Sequence, residues 1–169
     1  MTIIVQTHNI ENVSGKLAHE IRQTKPFHSL EEEVFLNLGR TLQVLQEKVA
    51  ALLKEHQLTP QQYNILRILR GAQPQGLTCT ETSERMLSPD PDMTRLLDRM
   101  EARQWIVRER SREDRRAVVT RITQAGVELV SQIDQPIDEL LHRLFASVGR
   151  GRLKELIETL EVIREIAAR

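Results

Sequence analysis

A single cysteine stands in a chain of 169 residues. An internal disulfide framework is thereby excluded, and Cys79 suits a reducing compartment. Aromatic residues are scarce at 3%, with one Trp and one Tyr. That argues against an all-β sandwich and against a stacking platform for single-stranded nucleic acid. No apolar run approaches the roughly 18 residues of a membrane-spanning helix, so no membrane partner is expected. The opening MTIIVQTHNIENVSG lacks a basic segment followed by a long apolar one. No secretory signal is expected, and the chain reads as cytoplasmic. His8, His19, His28, His56 and His142 are scattered, with no CxxC or HExxH, so no metal is expected. GxSxG, P-loop and dinucleotide-binding glycine patterns are missing as well, which speaks against an enzyme or a cofactor. Net charge is also lacking, since Lys plus Arg and Asp plus Glu number 24 each. Affinity for a polyanion would have to come from local asymmetry.

Forty per cent of the residues are hydrophobic, enough for a packed core in one domain with appendages. Residues 1–28 are weakly patterned and read as an extension with a short helix near 12–23. Ser29 and Glu32 then form a capping-box pattern ahead of Val34, Phe35, Leu38, Leu42, Leu45, Val49, Leu52 and Leu53 at helical spacing. A second helix opens at Thr59-Pro60, with Gln62 completing the box, Leu58 and Tyr63 as a hydrophobic staple, and Gly71 at its end. A short third helix is capped by Thr78 and Glu81. The fourth is expected to start with Asp90 as N-cap and Pro91 at its first position. Its Met93, Leu96, Leu97 and Met100 face inward, and Arg95, Arg99 and Ala102 lie on the open face. Two alternating runs, IVRER and VVTRIT, then make a hairpin. Thr123 caps a long helix that Pro136 should kink and that Gly149 and Gly151 should break. The last helix carries Leu153, Leu156, Ile157, Leu160, Ile163 and Ile166.

This order is mainly α with a small β-hairpin: a winged helix-turn-helix flanked by N- and C-terminal dimerisation helices. The expected divisions are an extension at 1–28, a dimerisation helix at 29–57, a DNA-binding lobe at 58–122 and further dimerisation helices at 123–169. The long amphipathic stripes at the two ends exceed what a small lobe can bury, and burial across a two-fold axis is the economical solution.

Charge follows the same division. Residues 95–121 hold nine arginines against five acids, whereas residues 128–169 hold six basic residues against eight acids. A helix presenting side chains to base edges, beside an arginine-tipped hairpin able to enter a minor groove, would use that polarity. Asp114, next to Arg115 and Arg116, could hold one arginine so that another points outward. The plainer alternative is a solvated loop of surface ion pairs, each worth roughly 0–1 kcal/mol.

DMTRLLDRMEARQWIVRER and DRRAVVTRITQAG resemble the MarR family of winged-helix transcription regulators, and the likeness runs from about residue 30 to 165. It implies a homodimer on a near-palindromic double-stranded operator, most often as a repressor that a small aromatic or anionic effector releases. The recognition helix is similar to residues 91–103. Thr94 and Arg95 match the family pair that meets DNA, and Asp114, Arg115 and Arg116 match the wing motif. With Arg99 on the open helix face and Arg112 in the wing, these seven are the expected DNA-binding residues.

Tyr63 and Trp105 are candidates for an effector pocket, although both also suit the core. Thr82 and Ser83 depart from the family's apolar and small residues, and weaken packing unless they bond back to carbonyls one turn earlier. Gln104 stands where the family carries a glycine, at a left-handed helix end. Two other readings are a dimeric scaffold for protein partners and an oxidant sensor working through Cys79.

Overall fold

The computed structural model describes residues 15–110 and 117–169. Two compact units divide the chain, Met1–Glu47 and Lys48–Arg169.

In the first unit, α1 (Lys16–Glu20) is shorter than the expected helix near 12–23, and residues 12–14 lie outside the described part. Helix α2 (Leu30–Glu55) opens where Ser29 predicts it. The Ser29 hydroxyl accepts the Glu32 N–H at 3.1 Å, while the Glu32 carboxylate reaches back to the His28 N–H at 2.6 Å. Half of the box therefore forms as expected, and the reciprocal half is displaced by one residue. Val34, Phe35, Leu42 and Val44 of this helix remain exposed.

The second unit begins inside α2, whose Val49, Leu52 and Leu53 join its core. Helix α3 (Pro60–Gly71) carries the complete Thr59/Gln62 capping box, with Pro60 in its first turn. The two-residue strand β1 (Leu77–Thr78) leads into α4 (Cys79–Glu84), capped reciprocally by Thr78 and Glu81. Thr82 is fully buried, and its hydroxyl donates to the Thr78 carbonyl at 2.7 Å, so the back-bond its burial requires is made.

The start of α5 (Met93–Ala102) corrects the sequence reading: Asp92, not Asp90, occupies the N-cap, and Pro91 stays outside the helix. The cause is local. The Asp90 carboxylate accepts the Asp92 N–H at 2.8 Å, an Asx turn that competes with helix at this point.

Helices α2 and α5 end alike, each with a glutamine in the left-handed region, Gln57 (φ 57°) and Gln104 (φ 60°). The next N–H turns back to the carbonyl five residues earlier, Leu58 to Leu53 at 3.0 Å and Trp105 to Met100 at 3.2 Å. These are Schellman ends, and the apolar side chains at both positions join the core, where they seal the turn.

Strands β2 (Ile106–Arg110) and β3 (Val118–Ile122) form the expected hairpin, in register Ile106↔Ile122 to Arg110↔Val118. Strand β1 adds to the other side of β3, giving the antiparallel order β1-β3-β2. Gly76, at φ 76°, makes that approach possible, since a Cβ there would lie 2.5 Å from the Thr120 carbonyl oxygen.

Helix α6 (Gln124–Phe145) is capped by the Thr123 hydroxyl and runs through Pro136 as one helix. Its Val130, Ile133 and Ile137 share a core with α3, α5 and the sheet. It ends before Gly149, which at φ 79° is the N-cap of α7 (Arg150–Ala167), and Gly151 lies inside α7 rather than breaking a helix. Helix α7 buries none of its residues. No helix among the described residues is long and apolar enough to cross a membrane.

Candidate nucleic-acid interface

Four apolar side chains seat α5. Met93, Leu96, Leu97 and Met100 are buried, all at 7% exposure or less. The 3.6-residue period then sets Thr94, Arg95, Arg99 and Ala102 on the solvent face, as the sequence implies. The Arg95 side chain is 78% exposed and lies 3.4 Å from the Asp92 carboxylate, a surface pair that restrains it little.

Strand β2 follows α5 after the Gln104 turn. Its alternation puts Arg108 on the face of buried Ile106. An arginine there needs a partner, and two acids of α5 supply it. The Arg108 backbone N–H donates to Glu101 Oε1 at 3.0 Å, its Nε to Oε2 at 2.9 Å, and its Nη2 to Oε2 at 2.6 Å. The same Nη2 reaches Asp98 Oδ1 at 2.5 Å. These bonds hold the Glu101 carboxyl below the usual carboxylate range and raise Arg108 further. Across the hairpin, Arg121 donates to Glu109 at 3.1 Å and to the Pro74 carbonyl at 3.1 Å.

Arg108 and Arg121 are thus committed within the fold, which charge counting did not reveal. The signal for Arg108 was its even spacing from Ile106, together with two acids three residues apart on the preceding helix. Of the seven expected DNA-binding residues, Arg112, Asp114, Arg115 and Arg116 lie outside the described residues, and so does the expected Asp114–arginine pairing.

The two effector candidates sit against the core. Tyr63 is buried, its hydroxyl raised above its ordinary pKa by desolvation, with Arg67 5.7 Å over the ring. Trp105 is half-buried beneath Arg103 at 4.9 Å. Neither lines the groove of about 580 Å³ formed by Asn64, Arg67, Ile68, Arg70, Gly71, Arg85 and Leu87. Arg70, on its edge, makes a two-bond pair with Asp134 at 2.6 and 3.0 Å that ties α3 to α6. The Asp134 carboxyl is lowered by these bonds. Cys79 is half-buried at the start of α4. His142 is exposed, its Nδ1 2.9 Å from the Asp138 carbonyl one turn back. No cluster of metal-ligating side chains occurs among the described residues.

A family model described as the MarR family matches residues 56–117. The crystal structure of a MarR transcription factor from Planctomyces limnophilus is 34% identical, covers 80% of this chain and 98% of its own, and superposes with a TM-score of 0.62. The HTH-type transcriptional regulator FarR of Neisseria gonorrhoeae is 25% identical over 143 residues, spanning 83% of this chain and 97% of that protein. The transcriptional repressor CouR, solved bound to a 23-mer DNA duplex, is 26% identical with a TM-score of 0.71, covering 81% of this chain and 96% of that one.

Proposed function

The chain belongs to the MarR family of winged-helix transcriptional regulators, and from that premise we propose how it works as a DNA-binding regulator. Helix α5 lies in the major groove with Thr94 and Arg95 toward base edges and Arg99 toward phosphate. The hairpin tip reaches the adjacent minor groove through Arg112, Arg115 or Arg116, with Asp114 orienting one of them. The observation that carries this reading is α5 itself. Its apolar face is fully seated, and its solvent face offers a hydroxyl and two guanidinium groups beside an arginine-rich hairpin.

The working unit is a homodimer on a near-palindromic operator in the cytoplasm. Leu156, Ile157, Val162, Ile163 and Ile166 of α7 are all exposed in one chain, and the first half of α2 carries a similar set. Exposed apolar faces of this kind are what a second copy covers. A repressor of this kind is released by a small aromatic or anionic effector. Arg67 and Arg85, beside Ile68 and Leu87 in the α3 groove, supply cationic and apolar contacts for such a molecule, with Tyr63 beneath Arg67.

Binding of the purified protein to its own promoter fragment, followed by fluorescence anisotropy across a salt series, tests the reading. Preference over scrambled DNA and a steep fall with salt are expected. Arg116→Ala should flatten the slope by about one counterion. An unchanged slope removes the wing assignment. Weak binding without preference favours a scaffold for protein partners.

A further inference from the structure

Arg108 belongs by position to the arginine-rich stretch, but its side chain turns back into the lobe. Its side chain is 25% exposed, against 78% for Arg95. Both oxygens of Glu101 are occupied by Arg108, one by its backbone N–H and one by its guanidinium, and Asp98 takes the same Nη2. Asp98 and Glu101 stand one turn apart on α5, on the flank next to β2. Among the described residues, Leu97 and Met100 of this helix share a buried apolar core with Ile106 and Ile122 of the hairpin. Apolar packing seats the helix closely but is non-directional. A planar guanidinium held in fixed geometry by two carboxylates adds a directed constraint on its roll.

We infer that Arg108 is a positioning residue: by clamping Asp98 and Glu101 it sets the roll of α5 against the hairpin, so that base reading and wing insertion fall in register on one duplex. The inference rests on the DNA-binding reading above, and it separates Arg108 from the arginines that touch DNA. A phosphate contact contributes to every sequence alike, whereas a misaligned helix loses only the contacts that read bases.

Arg108→Gln and Glu101→Gln are compared with wild type on the promoter duplex and on its scrambled counterpart. Each variant should bind the promoter duplex about tenfold more weakly, the equivalent of one base misread. Scrambled binding should weaken slightly for Arg108→Gln, which removes a positive charge, and tighten slightly for Glu101→Gln, which removes a negative one, both changes being small beside the loss on the promoter duplex. The salt slope of Arg108→Gln should stay that of wild type, and the double variant should be no worse than either single one. Arg108→Lys, which keeps the charge without the fork, should remain impaired.

A variant that is merely less stable loses affinity for both duplexes equally, so the ratio of the two affinities is the deciding readout. If Arg108→Gln does not melt cooperatively, Glu101→Gln and Arg108→Lys carry the test. Loss on both duplexes with a slope shallower by about one would make Arg108 a phosphate contact and overturn the inference. An unchanged ratio in both Glu101→Gln and Arg108→Lys would overturn it too. If wild type itself shows no preference, the DNA-reading premise fails and the inference falls with it, an outcome visible before any variant is measured.

Discussion

Gly126→Ala should destabilise the protein, although alanine is the better helix former. Gly126 is the third residue of α6, and its N–H is held by the Thr123 hydroxyl at 3.1 Å. A Cβ built there would lie 2.3 Å from the Trp105 carbonyl oxygen and 2.7 Å from Ile122 Cγ1. The oxygen is backbone and already accepts the Thr123 N–H at 3.0 Å. A carbon needs about 3.3 Å from such an oxygen, so roughly 1 Å of retreat is required. Helix α6 has nowhere to go, because Val130 and Ile133 are fully buried one and two turns further on. Overpacking of this sort costs about 1–3 kcal/mol. Weakening the Thr123 bond adds about 1 kcal/mol. The helix propensity of alanine returns at most about 1 kcal/mol. A net loss of about 1–3 kcal/mol is expected, measured by urea unfolding at fixed protein concentration. Gly71→Ala serves as the control. Nothing lies within 4 Å of its added Cβ, and the change should be neutral or stabilising. Gly126→Ala equal to or above wild type in stability would refute the reasoning about this contact.

Gln104→Gly should stabilise by about 0.5 kcal/mol, because relief of a left-handed φ of 60° outweighs the added freedom of the unfolded chain; a loss in a thermal melt would contradict this. Asp134→Asn should cost about 0.5–1 kcal/mol at pH 7, a modest figure because the carboxyl is 45% exposed. Arg70 lowers the folded pKa of Asp134 from 3.8. The contribution is therefore present above the unfolded value and lost as pH falls through the folded one. The gap between wild type and variant should close in acid, and a gap that does not vary with pH would place the effect elsewhere. Cys79→Ser should respond to mild peroxide as wild type does in the DNA-binding assay, and a difference would revive the oxidant-sensor reading.

Features written in neighbouring residues were legible in the sequence. The Thr59/Gln62 and Thr78/Glu81 boxes, the Thr123 cap and the two hairpin strands each depend on spacings of a few residues, and each forms. Gln104 was readable as a strained helix end only through the resemblance, since the family carries a glycine there, and Gln57, with the same left-handed backbone, was not read. Among the features that escaped, two show why. Strand β1 has two residues, too few for any period to show, and exists because β3 has a free edge and Gly76 allows approach. The start of α5 moved by two because a side-chain turn at Asp90 competes with a nominally good N-cap.

Charge was the hardest quantity to read, because counting weights every arginine equally and folding does not. Nine arginines between residues 95 and 121 suggest a uniformly basic surface. Yet Arg108 is closed upon Asp98 and Glu101, Arg121 upon Glu109 and the Pro74 carbonyl, and Arg103 lies over Trp105 with a bond to the Gln57 carbonyl at 3.2 Å. An arginine paired with a carboxylate presents a dipole rather than a monopole, and its field falls off faster with distance. Such residues add little to counterion release, and they fix the elements that carry the outward-facing ones. Acids within a basic segment need not oppose anion binding. Placed on the flank where helix and hairpin meet, they give structural arginines a partner there, and the positive field is left to Arg95 and its neighbours on the solvent face.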